Sequence, residues 1–195
     1  MSSAAETRRR ILDAAVRRIA REGIDEVRIA RIATDARVSP ALVHYHFDSR
    51  EALLVEALEH SYELAGTVRT AVLEDPGTTA MSKLAVMVDA CLPAAGAQRD
   101  DWLLWVELWL RAGRHPELAP TASRLYERLH AWFADVLSAG VRTGEFRAVD
   151  VDEVTDRLLA LIDGVGVRVL IGDATVPLER ARASVLAAAR EALER

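Results

Sequence analysis

Hydrophobic residues recur along this chain with the period of an α-helix, nearly from end to end. Near the start, Ile11, Ala15 and Ile19 follow one another at intervals of four, while the neighbouring arginines fall on another face. No segment sustains the alternation of apolar and polar residues that marks a half-buried strand. The pattern therefore predicts an all-α fold.

Turn and cap residues divide this pattern into about nine helices. Ser39 before Pro40, and Ser49 before an acidic first turn, are typical helix starts. The predicted helices cover about residues 4–22, 28–36, 40–47, 49–74, 79–92, 100–111, 120–143, 151–171 and 177–195. We expect two domains, 1–48 with three helices and 49–195 with the rest, and the fourth helix, from 49, connects them.

The second and third helices are short and separated by a tight turn, which is typical of a helix-turn-helix. Val38, Val43 and Phe47 provide the apolar inner face that this motif needs. The outer face would enter the major groove of DNA, with its N-terminal residues nearest the bases. That outer face consists of Pro40, Ala41, Leu42, His44 and Tyr45. Residues 1–48 therefore form a candidate DNA-binding domain.

The distribution of charge agrees with this interpretation, although the total does not. The chain has a net charge of −5, which argues against a nucleic-acid partner. Residues 1–50, however, hold ten arginines against seven acidic residues, a net of +3, and the remainder carries −8. A basic end on an acidic body favours a local DNA-binding surface over a uniformly solvated one.

Two stretches carry a family resemblance. Residues 28–53 resemble the N-terminal signature of TetR-family regulators, and the downstream part resembles the BetI-type C-terminal domain of that family. The matching pieces are Ile32-Ala33, Val38-Ser39, His44-Tyr45-His46-Phe47 and Ser49-Arg50-Glu51, then residues 102–109, Gly144-Glu145-Phe146 and Ile162-Asp163-Gly164. The resemblance implies a homodimeric repressor that a small-molecule effector releases from a palindromic DNA operator.

The chain departs from the family pattern at three positions of the helix-turn-helix. Arg37 stands in the turn where the family usually has glycine, so it is strained if the position needs a positive φ, and otherwise the turn is remodelled. Arg28 replaces the usual Ser or Thr at the start of the second helix, and His44 replaces the usual tyrosine. These changes affect the expected DNA contacts more than the fold.

The candidate DNA-binding residues lie in and around the third helix. They are Arg28, Arg37, Ser39, Pro40, Ala41, Leu42, His44, Tyr45, His46 and Arg50. Arg50 is expected to bind phosphate at a helix N-terminus, with a solvated arginine as the alternative. Leu42 either touches a thymine methyl group or packs on the next helix. His44 and His46 do not share a helix face, which argues against a metal site.

Three tryptophans in the sixth helix are candidates for an effector pocket. Trp102, Trp105 and Trp109 form one stripe, which lines either a pocket or the core. Met87 and Cys91 are candidates for the opposite wall, with core packing as the alternative. Asp163 would be costly if buried alone, so it is paired with arginine, exposed or directed at a cationic ligand. The residues leave these alternatives open.

The eighth helix is apolar on nearly all sides, more than a monomer could bury. We therefore expect a homodimer in which the eighth and ninth helices of two copies pack together. The candidate interface residues are Leu158, Ile162, Gly166, Val169, Ala181, Val185 and Ala188.

Several kinds of function lack their sequence signals. We find no catalytic constellation, no metal-ligand spacing and no phosphate-binding loop, and we expect no cofactor. Cys91 is the only cysteine, and no membrane span or export signal is apparent, so a cytoplasmic location is expected. The predicted function is a ligand-responsive transcriptional repressor. The alternatives are a helical ligand-binding protein with degenerate DNA binding and, less well supported, a helical-bundle enzyme.

Overall fold

The computed structural model describes residues 4–75 and 77–194, with residues 62 and 64–74 described by their backbone alone. Within these residues there are nine α-helices, one short 3-10 helix at Pro116–Leu118 and no strand. The α-helices are α1 (Ala4–Glu22), α2 (Ile29–Ala36), α3 (Pro40–His46), α4 (Arg50–Glu74), α5 (Ala80–Ala90), α6 (Ala97–Ala112), α7 (Ala119–Thr143), α8 (Val151–Leu170) and α9 (Leu178–Leu193).

The prediction of an all-α fold with about nine helices is confirmed. Most helix bounds agree within two residues, and α6 begins three residues earlier than predicted. The chain divides into two compact units, residues 1–64 with 100–122, and residues 65–99 with 123–195. This division differs from the predicted boundary at 48/49, because α6 belongs to the same unit as the helix-turn-helix.

The first unit has a core built from the inner faces of α1 to α4 and α6. Its fully buried side chains include Ile11, Ile19, Ile32, Leu53, Leu104 and Leu108. Gly23 ends α1 with a φ of +74°, a conformation that glycine adopts without strain. At the start of α4, the Ser49 hydroxyl accepts a hydrogen bond of 3.0 Å from the Ala52 N–H. Local cap chemistry therefore fixes where the helices around the DNA-binding motif begin and end.

The second unit contains α5, α8, α9 and most of α7. Its fully buried side chains include Leu84, Met87, Phe133, Leu137, Val185 and Leu193. α8 and α9 pack against each other, and α9 also packs against α5. At the start of α8, the Asp150 carboxylate accepts a hydrogen bond of 3.0 Å from the Glu153 N–H.

The Gly144-Glu145-Phe146 corner after α7 ties this second unit together. The Glu145 carboxylate accepts hydrogen bonds from the N–H groups of Ala80 and Met81, at 2.7 and 2.9 Å, and so caps α5 from a distance in sequence. The Phe146 ring lies so close to Gly140 that a Cβ atom there would overlap it. A carboxylate at a helix N-terminus is favourable for the helix dipole.

Candidate nucleic-acid interface and effector site

The turn of the helix-turn-helix is closed by backbone and side-chain hydrogen bonds. Arg37 has φ 55° and ψ 48°. This position, where the family usually has glycine, therefore has the left-handed conformation. The Val38 N–H then bonds to the Ala33 carbonyl at 2.9 Å, a common way for a helix to end. Ser39 caps α3, accepting from the Leu42 N–H at 3.2 Å. These contacts orient α3 relative to α2.

A charged side chain that sequence reasoning missed reinforces this turn. Arg10 of α1 donates to the Ala36 carbonyl from Nε at 3.1 Å and from Nη2 at 2.7 Å, and to the Arg37 carbonyl at 3.2 Å. A cation at the last carbonyls of α2 also complements the helix dipole. The sequence held no signal for this contact, because the partners are 26 and 27 residues apart.

α3 presents a polar and aromatic outer face. Val43 and Phe47 are buried, as predicted, whereas Tyr45 is 81% exposed. The other exposed candidates in this stretch are Ser39, Pro40, Ala41 and His44. Leu42 and His46 are half-buried. The exposed face therefore has the shape and side chains that a groove-binding helix needs.

Many arginines of the first fifty residues are already paired with acidic side chains. Arg18 donates to Asp35 at 2.6 Å and to Glu22 at 2.6 Å, which holds the pKa of both carboxyl groups below their ordinary values. Arg31 also pairs with Glu22. By contrast, Arg28 and Arg37 are exposed, and neither guanidinium has a hydrogen bond or ion pair with the residues that the structure describes. Among the candidates, these two cations are available to phosphate.

We expect Arg37→Gly to stabilise the fold while weakening DNA binding. A left-handed residue with a side chain costs about 1–2 kcal/mol, which glycine avoids. Because glycine also gains more freedom when unfolded, the net gain in the free energy of unfolding should be about 1 kcal/mol. Denaturant unfolding and a DNA titration measure the two effects.

Arg37→Ala is the matched control for this experiment. It removes the same guanidinium but keeps a Cβ atom in the left-handed conformation. Both variants should therefore lose the same DNA affinity, and only the glycine variant should gain stability. Equal stability of the two variants would contradict the assignment of strain to Arg37.

The candidate effector residues lie in both units. In the first unit Trp102 is buried, while Trp105 and Trp109 are half-buried, and the Trp109 ring lies 6.1 Å from that of Trp102 and 5.9 Å from that of Trp105. In the second unit Met87 is fully buried and Cys91 half-buried. The role of all five in a pocket stays a prediction.

Asp163 of α8 has a partner that sequence reasoning did not identify. It is half-buried and accepts a hydrogen bond of 2.5 Å from the Tyr126 hydroxyl on α7. Burial raises the pKa of the Asp163 carboxyl above its ordinary value, and this hydrogen bond only partly offsets that effect. Burial, and then the hydrogen bond to Asp163, raise the pKa of the Tyr126 phenol. The pair is therefore a partly desolvated acid beside an aromatic ring.

The predicted dimer-interface side chains need correction. The structure buries Leu158, Ile162, Gly166, Ala181 and Val185 inside the protomer, where α8 and α9 pack on each other and on their neighbours. Side chains that their own protomer already covers offer a second copy little contact surface. Val169 and Ala188 are half-buried. The opposite face of α8 is exposed, along Ala160, Gly164, Val167 and Ile171.

The described residues form neither a cluster of metal ligands nor a membrane-spanning helix. No group of three or more His, Cys, Asp or Glu side chains there has the arrangement of a metal site. None of the helices described is long and apolar enough to cross a membrane.

Comparisons with known proteins agree with this geometry. Residues 11–57 match the family model of bacterial regulatory proteins of the tetR family, and residues 80–194 match that of the BetI-type transcriptional repressor C-terminal domain. The HTH-type transcriptional regulator BetI of Brucella suis is 27% identical over 170 residues, which cover 87% of this chain and 82% of that protein.

Solved structures share both the fold and part of the sequence. A transcriptional regulator from Saccharomonospora viridis, solved in complex with choline, is 36% identical with a TM-score of 0.85, covering 98% of this chain and 100% of its own. A TetR-family regulator from a Rhodococcus species is 28% identical with a TM-score of 0.84, covering 97% of this chain and 100% of its own.

The fold, the exposed helix α3 and these relatives define a helix-turn-helix transcriptional regulator that binds DNA. The chain belongs to the TetR family of regulators, and its C-terminal part is of the BetI type. The predicted family and function are therefore confirmed at this level.

Proposed function

We propose that this protein is a homodimeric repressor that leaves a palindromic operator when it binds a small cationic effector of the choline class. The observation that carries the effector class is the half-buried Asp163 carboxylate, bonded only to a neutral phenol among the contacts described for it. The complex of a 36% identical regulator with choline supports the same class.

The effector proposal follows from the chemistry of a quaternary ammonium ion. Such a cation has no N–H to donate, so it is recognised by negative charge and by aromatic ring faces. Asp163 supplies a carboxylate whose charge is poorly solvated, and Tyr126 supplies a ring beside it. A bound cation would offset the cost of ionising this buried acid.

The DNA proposal assigns separate tasks to the side chains around α3. Ala41 and Leu42 would face the bases from the N-terminal part of α3, and Tyr45 from its exposed face near the C-terminal end. Arg28, Arg37, His44 and Arg50 would bind phosphate and carry no base information. The assignment of Ser39, Pro40 and His46 to the same interface rests on their positions beside these residues.

The dimer proposal uses the exposed face of α8. Ala160, Gly164, Val167 and Ile171 follow one another at intervals of four, three and four, so they form one stripe. Ile171 is 73% exposed and Val167 40%, which is unusual for such residues in a protomer that acts alone. Small residues at 160 and 164 would let two copies of α8 approach closely. A two-fold dimer then presents two α3 helices to successive major grooves.

The proposal is tested by selecting DNA from a random pool with the purified protein, with and without choline. We expect a palindromic site, bound with a steep salt dependence, and weaker binding when choline is present. A protein that binds choline but selects no sequence would instead be a ligand-binding protein with degenerate DNA binding. Selection of a palindrome that choline leaves unaffected would overturn the effector class alone.

A further inference from the structure

A buried arginine in the last turn of α6 gathers three acidic side chains of the first unit. The Arg111 side chain is 10% exposed. Its Nη2 pairs with Asp25 in the loop between α1 and α2, and its Nη1 lies 3.2 Å from Glu51 Oε1 in the first turn of α4. Glu107, one turn back on α6, lies 3.9 Å from its Nε. Arg111 therefore links α6 to two segments of the DNA-binding region.

The loop between α1 and α2 also binds Arg50, the first residue of α4. The Arg50 guanidinium donates a hydrogen bond of 2.7 Å to the backbone carbonyl of Asp25. Asp25 is thus bonded twice, at its carboxylate by Arg111 and at its carbonyl by Arg50. Because its guanidinium is bonded to this loop, the position of the Arg50 side chain depends on where the loop is fixed.

The same loop lies against α6 at Gly23. A Cβ atom at Gly23 would come within 3.0 Å of Glu107 Oε1, so the loop backbone and this carboxylate are in close approach. The loop is therefore held by α6 at both Gly23 and Asp25.

We infer that Arg111 is a positioning residue for DNA binding. It fixes Asp25 and the start of α4, and through them it holds Arg50 in reach of a DNA phosphate. Arg111 itself is buried and makes no contact with DNA. This inference rests on the proposed function, in which Arg50 binds phosphate.

The inference predicts that removing the Asp25 carboxylate weakens DNA binding, whereas electrostatics alone predicts that it strengthens it. Asp25 is a negative charge beside a surface that binds DNA, so its removal should strengthen binding if charge alone matters. If Asp25 holds the loop for Arg50, its removal should weaken binding instead. The Asp25 side chain is 84% exposed, so the substitution leaves no hole in the core.

The experiment compares Asp25→Ala with Glu26→Ala on the selected operator. Glu26 is the exposed acidic neighbour, so each of the two variants loses one negative charge. Glu26 forms no ion pair with the described residues, so its loss leaves the contacts of the loop intact. We expect Asp25→Ala to weaken binding by about tenfold, as for one charge-assisted hydrogen bond. The slope of log affinity against log salt should fall by about one per protomer. Glu26→Ala should bind as the wild type does or more tightly.

A second pair of variants tests Arg111 directly. Arg111→Lys keeps the charge but loses the planar fork that bridges two carboxylates, so we expect most of the same loss. Arg114→Gln, an exposed arginine three residues on, removes a charge without touching the junction and should change binding by less than about twofold. In an Arg50→Ala background, neither Asp25→Ala nor Arg111→Lys should weaken DNA binding further.

The outcomes separate this inference from the proposed function. If Asp25→Ala tightens binding as Glu26→Ala does, or if its effect persists without Arg50, the inference is overturned while the repressor stands. If Arg50→Ala binds normally, both the docking of Arg50 and this inference are wrong. If the wild-type protein selects no DNA, the proposed function itself has failed, and with it the inference. Thermal unfolding of each variant, unchanged within a few degrees, shows that the fold is retained.

Discussion

Gly164→Glu is expected to convert the protein to a monomer and to lower its affinity for the palindromic operator by about 10²- to 10⁴-fold, the range by which linking two binding modules raises avidity. In a two-fold dimer through the exposed face of α8, position 164 meets its own copy or lies close to it. Two carboxylates would then be desolvated against each other and against apolar surface. Sedimentation and an operator titration measure the two effects.

The same substitution leaves the protomer undisturbed. A Cβ atom at Gly164 would meet nothing within 4 Å, so the new side chain has room in the isolated chain. Glutamate is also a better helix former than glycine by about 0.5–1 kcal/mol. Circular dichroism should therefore show an intact helical protein, and a Gly164→Glu variant that stays dimeric would rule out this face as the interface.

Two controls distinguish loss of the dimer from other effects. Ala131→Glu adds the same charge at an exposed position of α7 and should change neither assembly nor DNA binding by more than about twofold. Val185→Glu places the charge at a side chain with no exposure, so it should unfold the protomer rather than separate two folded ones.

Several of the predicted interface side chains are instead buried within the protomer, for a physical reason. Periodicity identifies apolar faces, and α8 has two of them, one with Leu158 and Ile162 and one with Gly164 and Ile171. Nothing in the sequence of a single helix says which face its own protomer covers. Larger apolar residues such as Leu158 and Ile162 are the ones that a protomer buries first.

The helices and their caps could be predicted, because their signals are local. Ser39 and Ser49 bond to N–H groups three residues ahead. For Arg37 the sequence left open a strained left-handed residue or a remodelled turn, and the structure has the former, with a φ of 55°. The contacts that organise the candidate sites are not local. Arg111 is 86 residues from Asp25, and Tyr126 is 37 from Asp163. A single charged residue is predicted from sequence to lie on the surface, because its distant partner cannot be identified there.

Asp163→Asn is expected to lower the affinity for choline by about 100-fold, or about 2.7 kcal/mol. This lies in the lower part of the range of about 2–5 kcal/mol that is lost when one partner of a buried charge pair is removed. The asparagine keeps the shape and can still accept the Tyr126 hydrogen bond, so only the charge is lost. Titration calorimetry with choline measures the effect. Asp156→Asn, on the same helix but exposed, is the matched control and should bind choline normally.

The pH dependence of choline binding gives an independent check. Since burial raises the pKa of Asp163, the carboxyl takes up its proton at a higher pH than an ordinary aspartate does. Choline binding should accordingly weaken as the pH falls through that raised pKa in the wild type. It should be flat over the same range in Asp163→Asn, and an identical decline in both proteins would assign the effect to another group.

Stability should change in the direction opposite to affinity. A carboxyl whose pKa is raised on folding favours the folded state only while it is protonated, and that contribution is lost as the pH rises through the folded pKa. Near neutral pH the ionised Asp163 therefore opposes folding, and Asp163→Asn should raise the melting temperature, by about 2–4 °C for each 1 kcal/mol gained. The advantage should disappear at acidic pH, where the wild-type carboxyl is neutral. A variant that binds choline poorly and also melts earlier would mean that Asp163 serves the fold, whereas weaker binding with a higher melting temperature is the combination expected of a charge kept for a cationic ligand.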